Sequence, residues 1–154
     1  MVRLDDMPEQ ARKHLEDLPC PTFENNPWVN GPPLGERRVA IISTAGLHRR
    51  EDRPFTPESG DYYRIIPGDI KAADLFMSHL STNFDHSGFQ QDWNIVFPID
   101  RLRELAEEGT IGSVADYHYS FMGAWDPMKM EPQAKGLASV LKKDHVDALL
   151  LLPV

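Results

Sequence analysis

The 154-residue sequence has little that would tie it to a secreted or membrane protein. It contains a single cysteine, Cys20, which excludes an intrachain disulfide and is typical of a reducing compartment. No apolar run approaches the roughly 20 residues that a membrane-spanning helix needs. The first residues, MVRLDDMPEQ, also lack the pattern of a signal peptide. We therefore expect a cytoplasmic protein that does not enter a membrane.

Positive charge and phosphate-binding motifs are scarce as well. The chain has 16 Lys and Arg against 24 Asp and Glu, a formal net charge of −8, which argues against a nucleic-acid partner. Neither GxGxxG nor GxxxxGK[ST] occurs, and the Thr44-Ala45-Gly46 turn is too short to be a dinucleotide fingerprint. No motif therefore indicates a nucleotide cofactor.

Proline is concentrated near the amino terminus, where six of the 13 prolines lie within the first 37 residues. Proline fixes the backbone in an extended conformation and is tolerated in a helix only near its start. We therefore predict that residues 1–37 form a short helix followed by an extended arm. Phe23 and Trp28 are candidate anchors of this arm onto a domain or a partner.

Residues 38–154 alternate between strand-like and helix-like segments. Predicted strands are Val39–Ile42, DYYRIIP, Ile111–Tyr119 and the closing DALLLLPV, with helices after Asp69, after Asp100 and from Pro132. This alternation predicts an α/β domain with an open, three-layer, mostly parallel sheet, similar to a flavodoxin or to half of a Rossmann fold. The four leucines of DALLLLPV predict a central strand that is buried on both faces.

The carboxyl ends of parallel strands are where such a sheet collects its chemistry. Three segments would meet there: 44–53, 120–125 and whatever follows Val154. The first segment contains His48 and Arg49, which could hold a carboxylate or a phosphate. The alternative is a solvated loop whose own acidic residues, Glu51 and Asp52, neutralise its arginines.

The remaining histidines allow more than one interpretation. His118, on a predicted strand, could be a general acid or base, or a half-buried structural residue. His79, Asp85, His86 and Asp92 lie within 14 positions, but their spacing matches no familiar metal-ligand pattern. His79 could instead cap the end of the helix predicted after Asp69. These residues alone do not identify a reaction.

Four stretches together resemble a known family. They are VAIISTAGLHRREDRPF, YRIIPGDIKAADLFMSHL, NIVFPIDRLRELAEEGTIGSVA and YSFMG. Their order and spacing resemble the selenoprotein B subunits of glycine, sarcosine, betaine and D-proline reductases, particularly the shorter D-proline type. The resemblance covers most of residues 38–154. The Trp125-Asp126-Pro127 segment departs from the more glycine-rich D-proline form, which leaves the substrate open.

The resemblance implies an oxidoreductase that cleaves a C–N bond of an amino acid or amine. In that family the strand matching DALLLLPV leads directly into selenocysteine or cysteine. We therefore expect this sequence to end just before a selenocysteine codon, with the sheet incomplete and the chain inactive by itself. The implied substrate-binding residues are Thr44, Gly46, His48, Arg49, Phe121, Met122 and Gly123.

The resemblance also implies partners. This chain would bind no cofactor directly, while a pyruvoyl group on a partner subunit would form an iminium with the substrate amine and a thiol reductant would close the cycle. We also expect a homo-oligomer. Two alternatives remain: a non-catalytic α/β binding or subunit-docking domain, and an enzyme that uses His48 or His118 as a base.

Overall fold

The computed structural model describes residues 3–17, 22, 24–57, 63–81 and 84–154. The chain falls into two units, Met1–Asn30 and Gly31–Val154. Cys20, Phe23 and the first two residues of the predicted DYYRIIP strand lie outside the described residues. None of the described helices is long and apolar enough to cross a membrane.

The first unit contains one α-helix, α1 (Glu9–Glu16), after a 3-10 turn at Leu4–Asp6. Pro8 precedes the first helical residue, where the missing N–H of proline costs nothing. The described residues 24–30 contain neither helix nor strand. Trp28 lies there with 76% of its surface exposed, and its predicted role as an anchor stays a prediction.

The second unit contains seven strands and three α-helices among the described residues. The strands are β1 (Arg38–Ser43), β2 (Leu47–Arg49), β3 (Tyr63–Pro67), β4 (Leu75–Met77), β5 (Ser113–Val114), β6 (Tyr117–Phe121) and β7 (Ala148–Leu152). The helices are α2 (Ser87–Gln91), α3 (Ile99–Glu107) and α4 (Glu131–Lys143).

The main sheet is built around β1. Strand β7 runs parallel to it, from Val39 opposite Ala148 to Ser43 opposite Leu152. Strands β5 and β6 also pair in parallel with β1, and β3 pairs antiparallel with β6. Strands β2 and β4 form a separate antiparallel pair.

The predicted α/β class is therefore confirmed, and three of the four strand pairings in the described main sheet are parallel, but the predicted three-layer, flavodoxin- or Rossmann-like arrangement is wrong. The sheet is mixed because β3 enters it antiparallel to β6. A parallel strand needs a crossover connection, usually a helix, whereas an antiparallel strand does not. The described part of the segment between β2 and β3 contains no helix.

Strand β1 is the central strand, because both of its faces are packed. Val39 and Ile41 belong to one core with Ile99 and Leu102 of α3. Ala40 belongs to a second core, with Leu137 and Leu141 of α4. The alternation of side chains along a strand separates these two cores.

The prediction that the closing leucines form a central, doubly buried strand is wrong. Within the described part of the chain, β7 pairs with β1 alone. Its burial alternates, and Leu149 and Leu151 are 43% and 63% exposed. A run of leucines is apolar on both faces, so the residue types themselves do not reveal which face is covered.

The helix predicted after Asp69 is also wrong. A 3-10 turn at Ala72–Asp74 leads into β4, whose Phe76 pairs opposite His48 of β2. Pairing with β2 outweighs the helix-like spacing of the apolar residues in this segment. His79 therefore caps no helix.

Candidate functional site

The carboxyl ends of β1, β6 and β7 meet, and backbone hydrogen bonds join the segments that follow them. The Thr44 N–H donates to the Leu152 carbonyl at 3.0 Å, and the Gly46 N–H to the Phe121 carbonyl at 2.9 Å. The Gly123 N–H donates to the Thr44 carbonyl at 2.8 Å. Three strands from distant parts of the sequence thus end at one edge of the sheet, where α/β proteins place their sites.

The hydroxyl of Thr44 fixes the end of β7. The Val154 N–H donates to Thr44 Oγ1 at 2.7 Å, and Thr44 Oγ1 donates to the Val154 carbonyl at 3.2 Å. A hydroxyl can serve as donor and acceptor at once, so one side chain satisfies both backbone groups. This contact sets the direction in which the backbone leaves the sheet.

Two glycines allow the segments to approach each other closely. A Cβ atom at Gly123 would lie 2.5 Å from the Val154 carbonyl oxygen and 3.0 Å from Thr44 Oγ1. Gly46 has a φ of 66° and lies against the Met122 methyl group and the backbone of His79. Any larger side chain at either position would separate the segments or strain the backbone.

His79 is brought into this site by the pairing of β4 with β2. Its side chain is buried, and its Nδ1 accepts the Ser81 N–H at 3.2 Å. The neutral ring therefore carries its proton on Nε2. That atom is buried and makes no hydrogen bond of full geometry with the described residues, although the backbone of Val154 lies close enough to the ring to affect its pKa.

The charge state of His79 follows from its surroundings. Burial, the largest cause, and the neighbouring His86 lower its pKa below the usual value, while the backbone of Val154 opposes this in part. Near neutral pH, His79 is thus an uncharged Nε2–H donor next to the end of β7. This residue was missed as part of a strand-end site, because the register of β4 against β2 has no signal in the sequence.

Five of the seven predicted site residues lie at this edge: Thr44, Gly46, Phe121, Met122 and Gly123. Met122 is fully buried, and its sulfur accepts the Leu80 N–H at 3.4 Å. The ring of Phe121 instead packs in the core of α4, 5.4 Å from the ring of Tyr63.

The other two predicted residues, His48 and Arg49, are directed elsewhere on β2. The His48 ring stacks on Phe76 at 6.0 Å, and its Nδ1 lies 2.8 Å from the Arg49 carbonyl oxygen. Arg49 forms ion pairs with Asp52 at 2.8 Å and Glu51 at 2.9 Å. The hydrogen bond to Asp52 is the main cause that raises the Arg49 pKa. These two ion pairs fit the second interpretation of this loop, in which its acidic residues neutralise its arginines.

His118 lies within the sheet and away from the strand ends. It is fully buried, and its Nδ1 accepts the Ile41 N–H at 2.9 Å, in the gap between the β5 and β6 pairings with β1. Burial lowers its pKa to about 4. The side chain replaces a missing backbone partner, which is a structural role.

The segment around His86 shows no metal-binding geometry in the residues that the structure describes. No group of three His, Cys, Asp or Glu side chains converges there or elsewhere in those residues. Asp85 and Asp92 each accept a nearby backbone N–H, from Ser87 and Asn94 respectively.

Comparison with known proteins gives the family. The model of the glycine/sarcosine/betaine reductase selenoprotein B family matches residues 14–153. The chain is 36% identical over 120 residues to the D-proline reductase subunit gamma of Acetoanaerobium sticklandii, covering 77% of this chain and 49% of the relative. This chain belongs to the selenoprotein B family.

Two further relatives extend the match along the chain. The sarcosine reductase complex component B subunit beta of Peptoclostridium acidaminophilum is 31% identical, and the glycine reductase complex component B subunit gamma of Symbiobacterium thermophilum is 28% identical. Each alignment covers 92% of this chain and 34% of the relative. No solved structure matches the chain.

The chain therefore spans about half the length of the D-proline reductase subunit and a third of the other two. Apart from Val154, the residues of the candidate site lie inside the segment that matches the selenoprotein B family, residues 14–153. The resemblance read from the sequence is confirmed at the level of the family.

Proposed function

We propose that this chain builds the pocket of a selenoprotein B-type reductase subunit. A selenolate or thiolate, supplied by the residue that follows Val154 in the complete protein, would reductively cleave a C–N bond of an amino acid or amine. The observation that supports this most is the fixation of the β7 end by Thr44, in contact with Gly123 and next to His79.

The geometry fits a reactive residue at that position. The Cα atom of the next residue would lie about 3.8 Å from that of Val154. Both backbone groups of Val154 are held by Thr44, so the direction of that step is constrained. A nucleophile placed there would be at the carboxyl end of a parallel strand, beside the Nε2–H of His79.

The proposed reaction proceeds in three steps. The selenolate or thiolate forms a bond to carbon as the C–N bond breaks, and the electron pair of that bond leaves with the nitrogen, which takes up a proton. A thiol reductant then displaces the carbon from the selenium or sulfur, and the carbon takes up a proton. A second thiol releases the nucleophile as the two thiols become a disulfide.

The residues of this chain would orient the nucleophile and the proton. In the neutral tautomer, the Nε2–H of His79 could donate a hydrogen bond to the anionic nucleophile and lower its pKa. Gly123 and Ala124 are exposed, which leaves access for a group presented by another chain. A pyruvoyl group on a partner subunit would activate the substrate amine from that side.

Several parts of this proposal concern the complete protein. The relatives are named as subunits or components of reductase complexes, which supports a partner subunit here too. We further propose a homo-oligomer that works in the cytoplasm with a thiol reductant. The present chain by itself would be inactive, because it lacks the nucleophile.

The gene and an activity assay test the proposal together. We expect an in-frame UGA or cysteine codon directly after the Val154 codon. The complete protein with selenocysteine there, combined with its partner subunit and a dithiol, should reduce one of D-proline, sarcosine, glycine or betaine. Cysteine should retain weaker activity and serine none. A different codon at that position, or a fully active serine variant, would contradict the proposal.

A second function, a non-catalytic docking domain, is favoured by one observation. The leucines at 149 and 151 of β7 are exposed on an edge strand, a common place for another chain to add. Docking without catalysis predicts that the serine variant binds its partner normally and that no variant of the strand-end site changes turnover.

A further inference from the structure

A cleft of about 440 Å³ lies between β4 and α2. Its apolar lining includes Phe76 and Met77 of β4 and Phe89 of α2. Arg50 and Gln90 add polar groups to the lining, together with His86. This size and this mixture, mostly apolar with a few polar side chains, are typical of sites for small molecules.

The charge of the cleft is opposite to that of the whole chain. The chain carries a net charge of −8, yet none of the described residues that line the cleft is acidic. Arg50 has no carboxylate partner among the described residues, whereas the adjacent Arg49 is paired with Asp52 and Glu51. The cleft therefore offers a cation that no side chain of the described protein neutralises.

The guanidinium of Arg50 is held in place by contacts that leave most of its donors open. Its central carbon lies 4.7 Å from the centroid of the Phe76 ring. Its Nη2 donates to the Ala73 carbonyl at 3.3 Å. An arginine has five N–H donors, so the remaining ones can bind an anion in a geometry set by the aromatic contact.

We propose that this cleft binds a small organic carboxylate with an apolar, ring-sized body. The Arg50 guanidinium pairs with the carboxylate, since its planar donors match the two oxygens. Phe76 and Phe89 pack against the body, and Gln90 offers an amide to a polar substituent. The site lies beside the strand-end site, because the His86 ring is 6.3 Å from the His79 ring.

This inference goes beyond the proposed function and does not depend on it. Binding of a carboxylate in the cleft requires neither the nucleophile nor a partner subunit. A failure of the binding experiment would leave the reductase proposal intact, and a failure of the activity assay would leave the cleft proposal intact.

The experiment compares benzoate with benzyl alcohol, which has the same ring but no charge. Each is titrated into the ¹⁵N-labelled chain, and amide shifts are followed by NMR. We expect shifts at residues 72–77 and 86–90, with benzoate binding about tenfold or more tightly than the alcohol, because a charge-assisted pair is lost in the alcohol.

Three variants locate the interaction. Arg50→Gln should abolish the preference for benzoate, whereas Arg101→Gln, at an exposed arginine of α3, should leave it unchanged. Phe89→Ala should weaken both compounds alike. Equal affinities for the two compounds in the unaltered chain would overturn the proposal, and this comparison needs no variant to fold. Shifts confined to other surfaces, or a preference that survives Arg50→Gln, would overturn it too.

Discussion

Gly123 is the position where the strand-end site tolerates least change. A Cβ atom there would lie 2.5 Å from the Val154 carbonyl oxygen and 3.0 Å from Thr44 Oγ1. The nearest of these atoms, the Val154 oxygen, belongs to the backbone, which moves less easily than the end of a flexible side chain. The close approach of the loop after β6 to the end of β7 therefore depends on the absence of a side chain.

We predict that Gly123→Ala lowers the free energy of unfolding by about 1–3 kcal/mol, because it overpacks this contact. Gly136→Ala is the matched control. Nothing lies within 4 Å of a Cβ atom at Gly136 in α4, so alanine should stabilise the chain by about 0.5–1 kcal/mol. Urea unfolding of both variants checks this, and equal effects of the two substitutions would contradict the described contact.

His118 makes the stability of the chain depend on pH. Its pKa is lowered to about 4 by burial, from an ordinary value of 6.5. The unfolded chain therefore takes up a proton at a pH where the folded chain does not. The stabilisation is complete above about pH 6.5 and is lost as the pH falls from about 6.5 to about 4.

We expect protonation linked to His118 to lower the free energy of unfolding by about 3 kcal/mol between about pH 6.5 and about pH 4. Urea unfolding between pH 7 and pH 4 measures the total, which also includes carboxylates. His118→Asn offers an acceptor to the Ile41 N–H but does not titrate, so its stability should fall less steeply. If the free energy of unfolding falls equally steeply with pH in the unaltered chain and in His118→Asn, then His118 is not the cause of the pH dependence.

At the scale of single elements, the sequence predicted helices α3 and α4 and strands β1, β3 and β7, but not how the strands pair. Helices α3 and α4 were predicted because each combines a buried apolar stripe with an end signal, Gly109 for α3 and two lysines for α4. Strand β4 was predicted as a helix, because its apolar residues fit both periods and its pairing with β2 is a long-range event.

Long-range strand pairing also explains why one residue of the candidate site was not predicted. The segments after β1 and β6 were predicted because the carboxyl ends of parallel strands meet, and the residues within them because of the family resemblance. His79 was not, since it reaches the site only through the pairing of β4. His48 and Arg49 follow the turn at Gly46 directly in β2, where their side chains contact Phe76 and Asp52, and their predicted role in binding substrate stays a prediction.

Strand β7 presents a surface through which copies of the chain are expected to associate. Its outer edge and the exposed side chains of Leu149 and Leu151 form an apolar surface on an edge strand. We expect the chain to form larger species as its concentration rises, and Leu149→Lys combined with Leu151→Lys to prevent this. Ile95→Lys, at an exposed apolar residue in a 3-10 turn, is the control and should have no effect.

Sedimentation velocity over a range of concentrations measures this association. A single monomeric species for the unaltered chain at all concentrations would contradict the prediction. Association that persists in the double lysine variant would show that another surface is responsible.

At the scale of the whole molecule, the segment that matches the family contains the three strands whose carboxyl ends meet at one edge of the sheet. The match to the selenoprotein B family covers residues 14–153, and the ends of β1, β6 and β7 are joined there through Thr44, Gly123 and the adjoining Val154. The class of fold was predictable from the alternation of elements. The mixed order of the strands was not, because it depends on how β3 enters the sheet.

The titration of a thiol placed directly after Val154 tests the central claim. In the complete protein with cysteine at that position and Cys20→Ser elsewhere, the rate of alkylation against pH gives the pKa of that thiol. We expect the pKa of this thiol to lie below the usual value of about 8.5 and to shift back towards it in His79→Phe. A thiol whose pKa is ordinary and unchanged by His79→Phe would show that the end of β7 does not activate a nucleophile.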